Sequence, residues 1–365
     1  MRSTELDHQM MARAIALAKK GRFTTSPNPN VGCVIAKDGK IVGEGLHFKA
    51  GEPHAEVHAL RAAGENAKGA TAYVTLEPCS HYGRTPPCSE ALIKAGVARV
   101  VCAMQDPNPV VAGRGVKMLR DAGVEVVVGV LESDARALNK GFLKRMETGK
   151  PFVQLKLAAS LDGQTALSNG ESKWITSPQA RQDVQAYRAQ SCAIVSTSKT
   201  VIDDNASLNV RWSELPENTQ AIYPESELRQ PARVILDRQQ KLHQNLSLFQ
   251  TSGNIEVVDP KSPYFQLNST GQVDIPYVFD KLAEKLGIQH IWVEAGATLA
   301  ASLIEQDLVD ELIVYLAPKL MGSDGRGLVH ILGLTSMQQA IDLEINDVRM
   351  VGPDIRITAK VIKNT

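Results

Sequence analysis

Charge of neither sign is in excess in this chain: 40 Lys and Arg stand against 40 Asp and Glu, a formal net charge of zero over 365 residues. With no basic surplus there is no field to draw in a polyanion, so neither nucleic acid nor an anionic membrane surface is an expected partner. Long apolar runs are also missing; none approaches the roughly 20 residues that a membrane-spanning helix needs. The opening stretch, "MRSTELDHQMMARAIALAKKGRF", reads as an amphipathic helix with a charged start. It lacks the uninterrupted apolar core of a signal peptide, and a cytoplasmic location is expected. Cysteine is sparse and odd in number, with five at positions 33, 79, 88, 102 and 192. Such a set is not a disulfide framework, which leaves free thiols or metal ligands. The second half, finally, has no Gly-x-Gly-x-x-Gly after a strand, so the common dinucleotide fingerprint is absent.

What is present belongs to a globular protein: 43% hydrophobic and 22% charged residues, at a length suited to roughly two or three domains. "VGCVIAKDGKIVGEG" predicts a hairpin turning at Asp38-Gly39. "AEVHALRAAGENA" predicts a helix ending near Gly64, and "ATAYVTLEP" a buried strand. "SEALIKAG", "VARVVCAM", "GVKMLRDAG" and "VEVVVGV" then alternate helix and strand, the pattern of a layered α/β domain. Gly149-Lys150-Pro151 marks a boundary, giving domains over 1–149 and 150–365. Beyond it "FVQLKLAAS", "CAIVSTS", "ARVILD", "HIWVEAG" and "DELIVYLAP" read as strands. A helix opens at Ser177, its N-cap, with Pro178 in first position. Two Pro-, Ser-, Asn- and Gln-rich stretches, "RWSELPENTQAIYPESELRQP" and "DPKSPYFQLNSTGQVDIP", are expected to be surface insertions.

Chemistry concentrates in "HAEVHAL" and "TLEPCSHYGRTPPC". One imidazole and two thiolates, His54, Cys79 and Cys88, form the ligand set of a catalytic zinc that keeps a fourth position for water. Residues two apart point to nearly opposite sides of a helix, so His54 and Glu56 share a site only if His54 stands at the helix entry. Pro53 favours that extended approach, and Pro87 delivers Cys88 to a helix start in the same way. His-x-Glu followed by Pro-Cys and a further cysteine is the signature of zinc-dependent deaminases, with Glu56 as proton shuttle rather than ligand. His58, one turn after His54, also lies within reach of a metal; the cysteine pair is preferred, because a helix-borne His pair would turn Glu56 away.

Eight residues separate the two cysteines, where most such deaminases have two. With "TSPNPNVGCVI", "MQDPNPVVAGRG", "LKLAASLDGQTA", "SKWITSPQAR" and "VEAGATLAASL", the chain closely resembles the bifunctional pyrimidine deaminase/reductase of bacterial riboflavin biosynthesis over nearly its whole length. The resemblance implies a cytidine-deaminase-like three-layer domain followed by a dihydrofolate-reductase-like α/β domain. It implies a phosphoribosylamino-pyrimidine substrate, deaminated at the ring by a metal-activated water and then reduced by NADPH from ribosyl to ribityl. A dimer through the reductase half is a further implied expectation.

In the first half the resemblance favours Asn28 reading a pyrimidine edge, where the residues alone allow an Asx turn ahead of Pro29. His81 and Arg84 are cations fit for a phosphate, or solvated turn charges. Asp106 and Asn108 line the same pocket or simply make a turn. In the second half the resemblance implies cofactor contacts at Ala158, Trp174, Thr200 and Asp204. The turn Gly296, Ala297, Thr298, Leu299, Ala300, Ala301 and Ser302 belongs to the same set, a helix start of the kind that cradles phosphate. It implies substrate contacts at Ser172, Arg188, Leu208, Arg211 and Glu294, with Lys156 close to them. Trp174 could equally be core, and the arginines surface cations. Arg238 departs from the family pattern, standing where a small hydroxyl residue would suit the cofactor; it could meet a phosphate or point to solvent. The competing readings are a nucleic-acid deaminase with a C-terminal binding module, disfavoured by the neutral charge, and a structural zinc closed by His58 or His81.

Overall fold

In the computed structural model, residues 4–82, 86–108 and 112–362 are described. The chain divides into two compact units, Met1–Gly149 and Lys150–Thr365.

The first unit opens with α1 (Glu5–Ala18). The Thr4 hydroxyl accepts the Asp7 N–H at 3.2 Å while Asp7 Oδ2 accepts the Thr4 N–H at 2.9 Å, so two backbone donors of the helix start each find a side-chain acceptor on the other residue. The hairpin β1 (Gly32–Lys37) and β2 (Lys40–Leu46) follows, its Asp38-Gly39 turn at positive φ as that dipeptide favours. Then come α2 (Ala55–Ala63), β3 (Thr71–Val74), α3 (Cys88–Lys94), β4 (Arg99–Cys102), α4 (Arg114–Asp121) and β5 (Glu125–Val128). Two helices, α5 (Glu132–Leu138) and α6 (Lys140–Thr148), close the unit. The sheet order is β2-β1-β3-β4-β5, with β1 antiparallel to both neighbours and β3, β4 and β5 parallel.

Strand periodicity sorts the side chains to two faces. Val34 and Ala36 join the core shared with α1, α5 and α6, whereas Cys33 and Ile35 join the one shared with α2, α3 and α4. Two glycines fix how close α2 comes. A methyl group at Gly43 or Gly45 would collide with the Ala59 or Ala55 carbonyl, so the helix carrying Glu56 rests backbone to backbone on β2.

The second unit begins with β6 (Phe152–Ser160), β7 (Gln164–Ala166), α7 (Pro178–Gln190), β8 (Ala193–Thr197), α8 (Ser198–Asp204) and the single turn α9 (Glu217–Gln220). It continues through β9 (Ala232–Leu236), β10 (Ile255–Val258), α10 (Ile275–Leu286), β11 (His290–Glu294), α11 (Ala297–Glu305) and β12 (Glu311–Ala317). The last strands are β13 (Arg326–Gly327), β14 (Leu343–Val351) and β15 (Asp354–Val361). Eight of these strands form one sheet in the order β10-β9-β8-β11-β6-β12-β15-β14, parallel from β10 to β12 and antiparallel at the β15-β14 edge. β13 and β7 pair separately. Its parallel part is covered on both faces, as such sheets require. On one side α10 and α11 pack Phe279, Leu282, Leu299 and Leu303 on Val153, Leu155, Val195 and Val293. On the other, Ala180 and Val184 of α7 meet Ile194, Trp292 and Ile313.

Ser177 caps α7 as expected, accepting the Ala180 N–H at 3.2 Å. The two polar stretches are not mere surface insertions. The first buries Leu215, Thr219 and Tyr223, and the Tyr223 hydroxyl accepts the Arg229 N–H at 2.7 Å. The second buries Tyr264, and its last residues start α10 with Asp274 as N-cap. Apolar anchors spaced through polar sequence carry no periodicity, which is why composition alone mistakes them for loops.

Candidate active sites

In the first unit His54 is the N-cap of α2, its backbone extended at ψ 163, so the helix begins only at Ala55. That single non-helical residue lets His54 and Glu56 face one place. Pro87 is likewise extended ahead of α3 and presents Cys88 at the first helical position. His54 Nδ1 lies 3.4 Å from Cys88 Sγ and 3.7 Å from Cys79 Sγ, and the Cys88 N–H donates to Cys79 Sγ at 3.2 Å. The three ligand atoms stand within 4.8 Å of one another, and among the described residues they form the only such group of His, Cys, Asp or Glu. His58 and His81 are outside it. A borderline-soft cation fits this set of one nitrogen and two sulfurs, and the lack of a fourth protein ligand among the described residues is the mark of a catalytic rather than a structural site.

The electrostatics are those of a site built for a cation. The Cys79 thiol is brought down to about 4, first by its hydrogen bond with Cys88 and, against burial, by its bond with His54. Cys88, sharing that bond and itself buried, is pushed up. Glu56 is only 3% exposed, and burial raises its carboxyl to about 7, with His54 opposing and Cys79 adding to the rise. A carboxyl poised at neutrality both takes and gives protons.

Around these groups stand the other expected residues. Asn28 Nδ2 donates to His47 Nε2 at 3.1 Å, and His47 Nδ1 bonds the Pro53 carbonyl at 3.2 Å. The imidazole therefore fixes which way the Asn28 amide points. His47 is buried, its ring edge-on to His54 at 5.5 Å between centroids, and burial lowers its pKa so that Nε2 stays an acceptor. Sequence reasoning missed it; its one signal was an isolated His seven residues before His54. Asp106 Oδ1 accepts the Asn108 N–H at 2.8 Å, the expected turn. Burial raises the Asp106 carboxyl, Glu77 and Cys79 raise it further and the charge of His81 lowers it, so the turn lies within electrostatic reach of the metal ligands. Arg84 falls outside the described residues.

In the second unit Arg188, Glu294, Lys156 and Asp204 come together near the carboxyl ends of the parallel strands, where α/β sheets bind ligands. Arg188 of α7 binds Glu294, the last residue of β11, through Nε at 2.6 Å and Nη2 at 2.9 Å. Its Nη1 reaches the Asn209 carbonyl at 3.1 Å. Trp292 Nε1 donates to Glu294 Oε1 at 2.9 Å. Lys156 sits beside Glu294 in the β6–β11 register, and its pKa is lowered, chiefly by burial, with Glu294 opposing and Arg188 assisting. Asp204 lies within range of the same lysine and pairs with Lys173 at 3.5 Å. Arg211 donates Nη1 to Asn209 Oδ1 at 3.1 Å and pairs with Glu214. Ser172 and Ala158 are half-buried, and Thr200 Oγ1 accepts the Thr197 hydroxyl at 3.1 Å.

Several expectations are refined. Trp174 is not core: it is 64% exposed, with the Arg181 guanidinium 4.5 Å over its ring. Leu208 is buried in the core beside Ile194 and Trp292, so any substrate contact there goes through its backbone. Of the turn from Gly296 to Ser302, the side chains of Ala297, Leu299, Ala300 and Ala301 are buried, while Gly296 and Thr298 are exposed. A methyl at Gly296 would meet nothing within 4 Å, so there is room beside the start of α11, and a helix start offers N–H groups and a positive dipole end suited to a cofactor phosphate. Arg238 donates to the Gly271 carbonyl.

Comparison with known proteins finds relatives for both halves of the chain. Residues 4–104 match the model of the cytidine and deoxycytidylate deaminase zinc-binding region, and residues 151–357 match the RibD C-terminal domain. The chain is 57% identical to the riboflavin biosynthesis protein RibD of Escherichia coli over 359 residues, covering 96% of this chain and 98% of that protein. RibD of Acinetobacter baumannii superposes with a TM-score of 0.90 at 45% identity, over 98% of this chain and 99% of that one. The diaminohydroxyphosphoribosylaminopyrimidine deaminase/5-amino-6-(5-phosphoribosylamino)uracil reductase of Thermotoga maritima gives 0.84 at 32% identity, with the same coverage.

Proposed function

The chain belongs to the RibD family, the bifunctional deaminase/reductase of riboflavin biosynthesis, and on that premise we propose that residues 1–149 deaminate the phosphoribosylamino-pyrimidine and residues 150–365 reduce the deaminated product. The observation that carries the first half is the convergence of His54, Cys79 and Cys88 beside a buried Glu56.

His54, Cys79 and Cys88 would hold a zinc ion, which when bound would acidify a water to near neutrality and so supply the nucleophile. Glu56 receives the proton of that water and delivers it to the departing amine, a double duty that its pKa near 7 permits. Asn28, its Nδ2 engaged by His47, keeps Oδ1 for the pyrimidine edge. Asp106 and Asn108 wall the ring, and His81 with Arg84 hold the phosphate.

In the second unit a bound NADPH would supply the hydride for C1′ of the opened ribose. The α11 start, from Gly296 to Ser302, would take a cofactor phosphate, and Ala158, Trp174, Thr200 and Asp204 would contact the rest of the cofactor. Lys156, Ser172, Arg188, Leu208, Arg211 and Glu294 form the substrate side, where Lys156 Nζ supplies the proton that completes the reduction. Glu294 anchors Arg188 so that its remaining N–H groups point in one direction.

The partner is another copy of the chain. Ile345, Val348 and Met350 are exposed on the edge strand β14, an apolar edge that pairing covers. Sedimentation velocity should give a dimer, and Met350→Glu should shift it towards monomer. Cysteines that form no disulfide among the described residues suit a reducing cytoplasm. The activity itself is tested by incubating the enzyme and zinc with the phosphoribosylamino-pyrimidine and NADPH. Ammonia should appear first and the ribityl product, followed by mass, only after it; reduction without prior deamination would refute this order.

A further inference from the structure

Glu77 is a buried carboxylate, 5% exposed, that no step above uses. It lies two residues before Cys79 at the exit of β3, and its backbone N–H donates to the Met104 carbonyl at 3.0 Å. Its side chain reaches further. Oε2 accepts the N–H groups of Asp106 at 3.1 Å and Gly113 at 2.9 Å, and Oε1 accepts that of Val116 at 3.0 Å. Among the described residues no cation pairs with it; its partners are backbone donors from the β4 exit and the first turn of α4. The approach is tight, since a side chain at Gly115 would strike the Pro78 carbonyl and crowd Glu77 Oε1.

We propose that Glu77 is a positioning residue of the deaminase, holding the Asp106–Asn108 turn in register with Cys79 so that the wall facing the pyrimidine and the metal ligand move as one piece. The inference rests on the reading of Asp106 and Asn108 as pocket wall. A carboxylate suits the task because three N–H donors converge on two oxygens. Glutamine offers one acceptor oxygen, and its NH2 faces at least one of the donors. Alanine leaves all three buried donors without an acceptor and the turn free to drift.

The test uses Glu77→Gln, Glu77→Ala and Asp106→Ala in the full chain. Ammonia release is followed against pyrimidine concentration, zinc is measured per chain, and reduction of supplied deaminated product serves as the internal control. Zinc content and reductase activity should stay at the starting level. KM should rise about tenfold in Glu77→Ala with kcat falling less, and by a smaller factor in Glu77→Gln, as misplacement of a binding wall predicts. An unchanged KM overturns the proposal. So does loss of zinc together with activity, which would make Glu77 a support of the ligand alone. Loss of the deaminase melting transition in both Glu77 variants would reduce it to a stability residue and overturn the proposal as well. If Asp106→Ala leaves KM unaltered, the reading of the turn as pocket wall fails, and the link proposed here fails with it even if Glu77→Ala raises KM.

Discussion

Arg188 and Glu294 face each other as a two-pronged pair, Nε to Oε1 at 2.6 Å and Nη2 to Oε2 at 2.9 Å, with both side chains largely withdrawn from water. Burial works against the Glu294 charge, but the Arg188 charge and hydrogen bonds, then Lys156 and the Trp292 N–H, bring the carboxyl down to about 2. Glu294→Gln strands a buried guanidinium, a change worth about 3–5 kcal/mol in comparable pairs. The reductase transition should melt earlier and NADPH oxidation should collapse, while ammonia release from the same chain persists.

The close seating of α2 on β2 gives a second prediction. Gly45→Ala forces its new methyl against the Ala55 carbonyl, next to the residues that carry the proton chemistry. A displacement of α2 by a fraction of an ångström moves His54 and Glu56 together. The rate of ammonia release should fall about a hundredfold, as small misplacements of reacting groups do, and reduction of the deaminated product should be untouched. Wild-type deamination in this variant would show that the glycine is incidental.

Much of this was legible in the sequence, and the reason is local. The metal ligands are announced by prolines that hold the preceding backbone extended, so Pro53 and Pro87 told where His54 and Cys88 stand relative to their helices. Short β-branched runs between helical patterns placed the central strands, which are buried almost continuously. What stayed hidden depends on contacts distant in sequence. His47 matters through Asn28, 19 positions away, and Glu77 through Gly113 and Val116, 36 and 39 positions away. β14 bears Ile345, Val348 and Met350 on an exposed edge among charges, a pattern that resembles neither a buried strand nor a half-buried one. In the reductase unit the residues were named by resemblance alone, because a site assembled from the ends of several strands leaves no short motif.

Asp7 supplies a pH prediction. Its hydrogen bonds from Arg99, at 2.6 and 3.0 Å, outweigh burial and lower its carboxyl from 3.8 to about 2. A group depressed on folding stabilises the folded state above its unfolded pKa and loses that contribution as pH falls through the folded one. The deaminase unit should therefore weaken between about pH 4 and pH 2 by about 2 kcal/mol from this residue. Asp7→Asn should show that loss already at neutral pH and a flatter profile across the window. Denaturant melts of the two proteins at matched pH check it; parallel profiles would contradict it.

The decisive measurement is on Glu56→Gln: zinc per chain, ammonia released from the phosphoribosylamino-pyrimidine, and NADPH consumed on supplied deaminated product, all from one preparation. The account predicts full zinc, reductase activity at the starting level, and ammonia release reduced by about a thousandfold or more, the scale of a lost proton shuttle. Ammonia at the unmodified rate with zinc in place would contradict it.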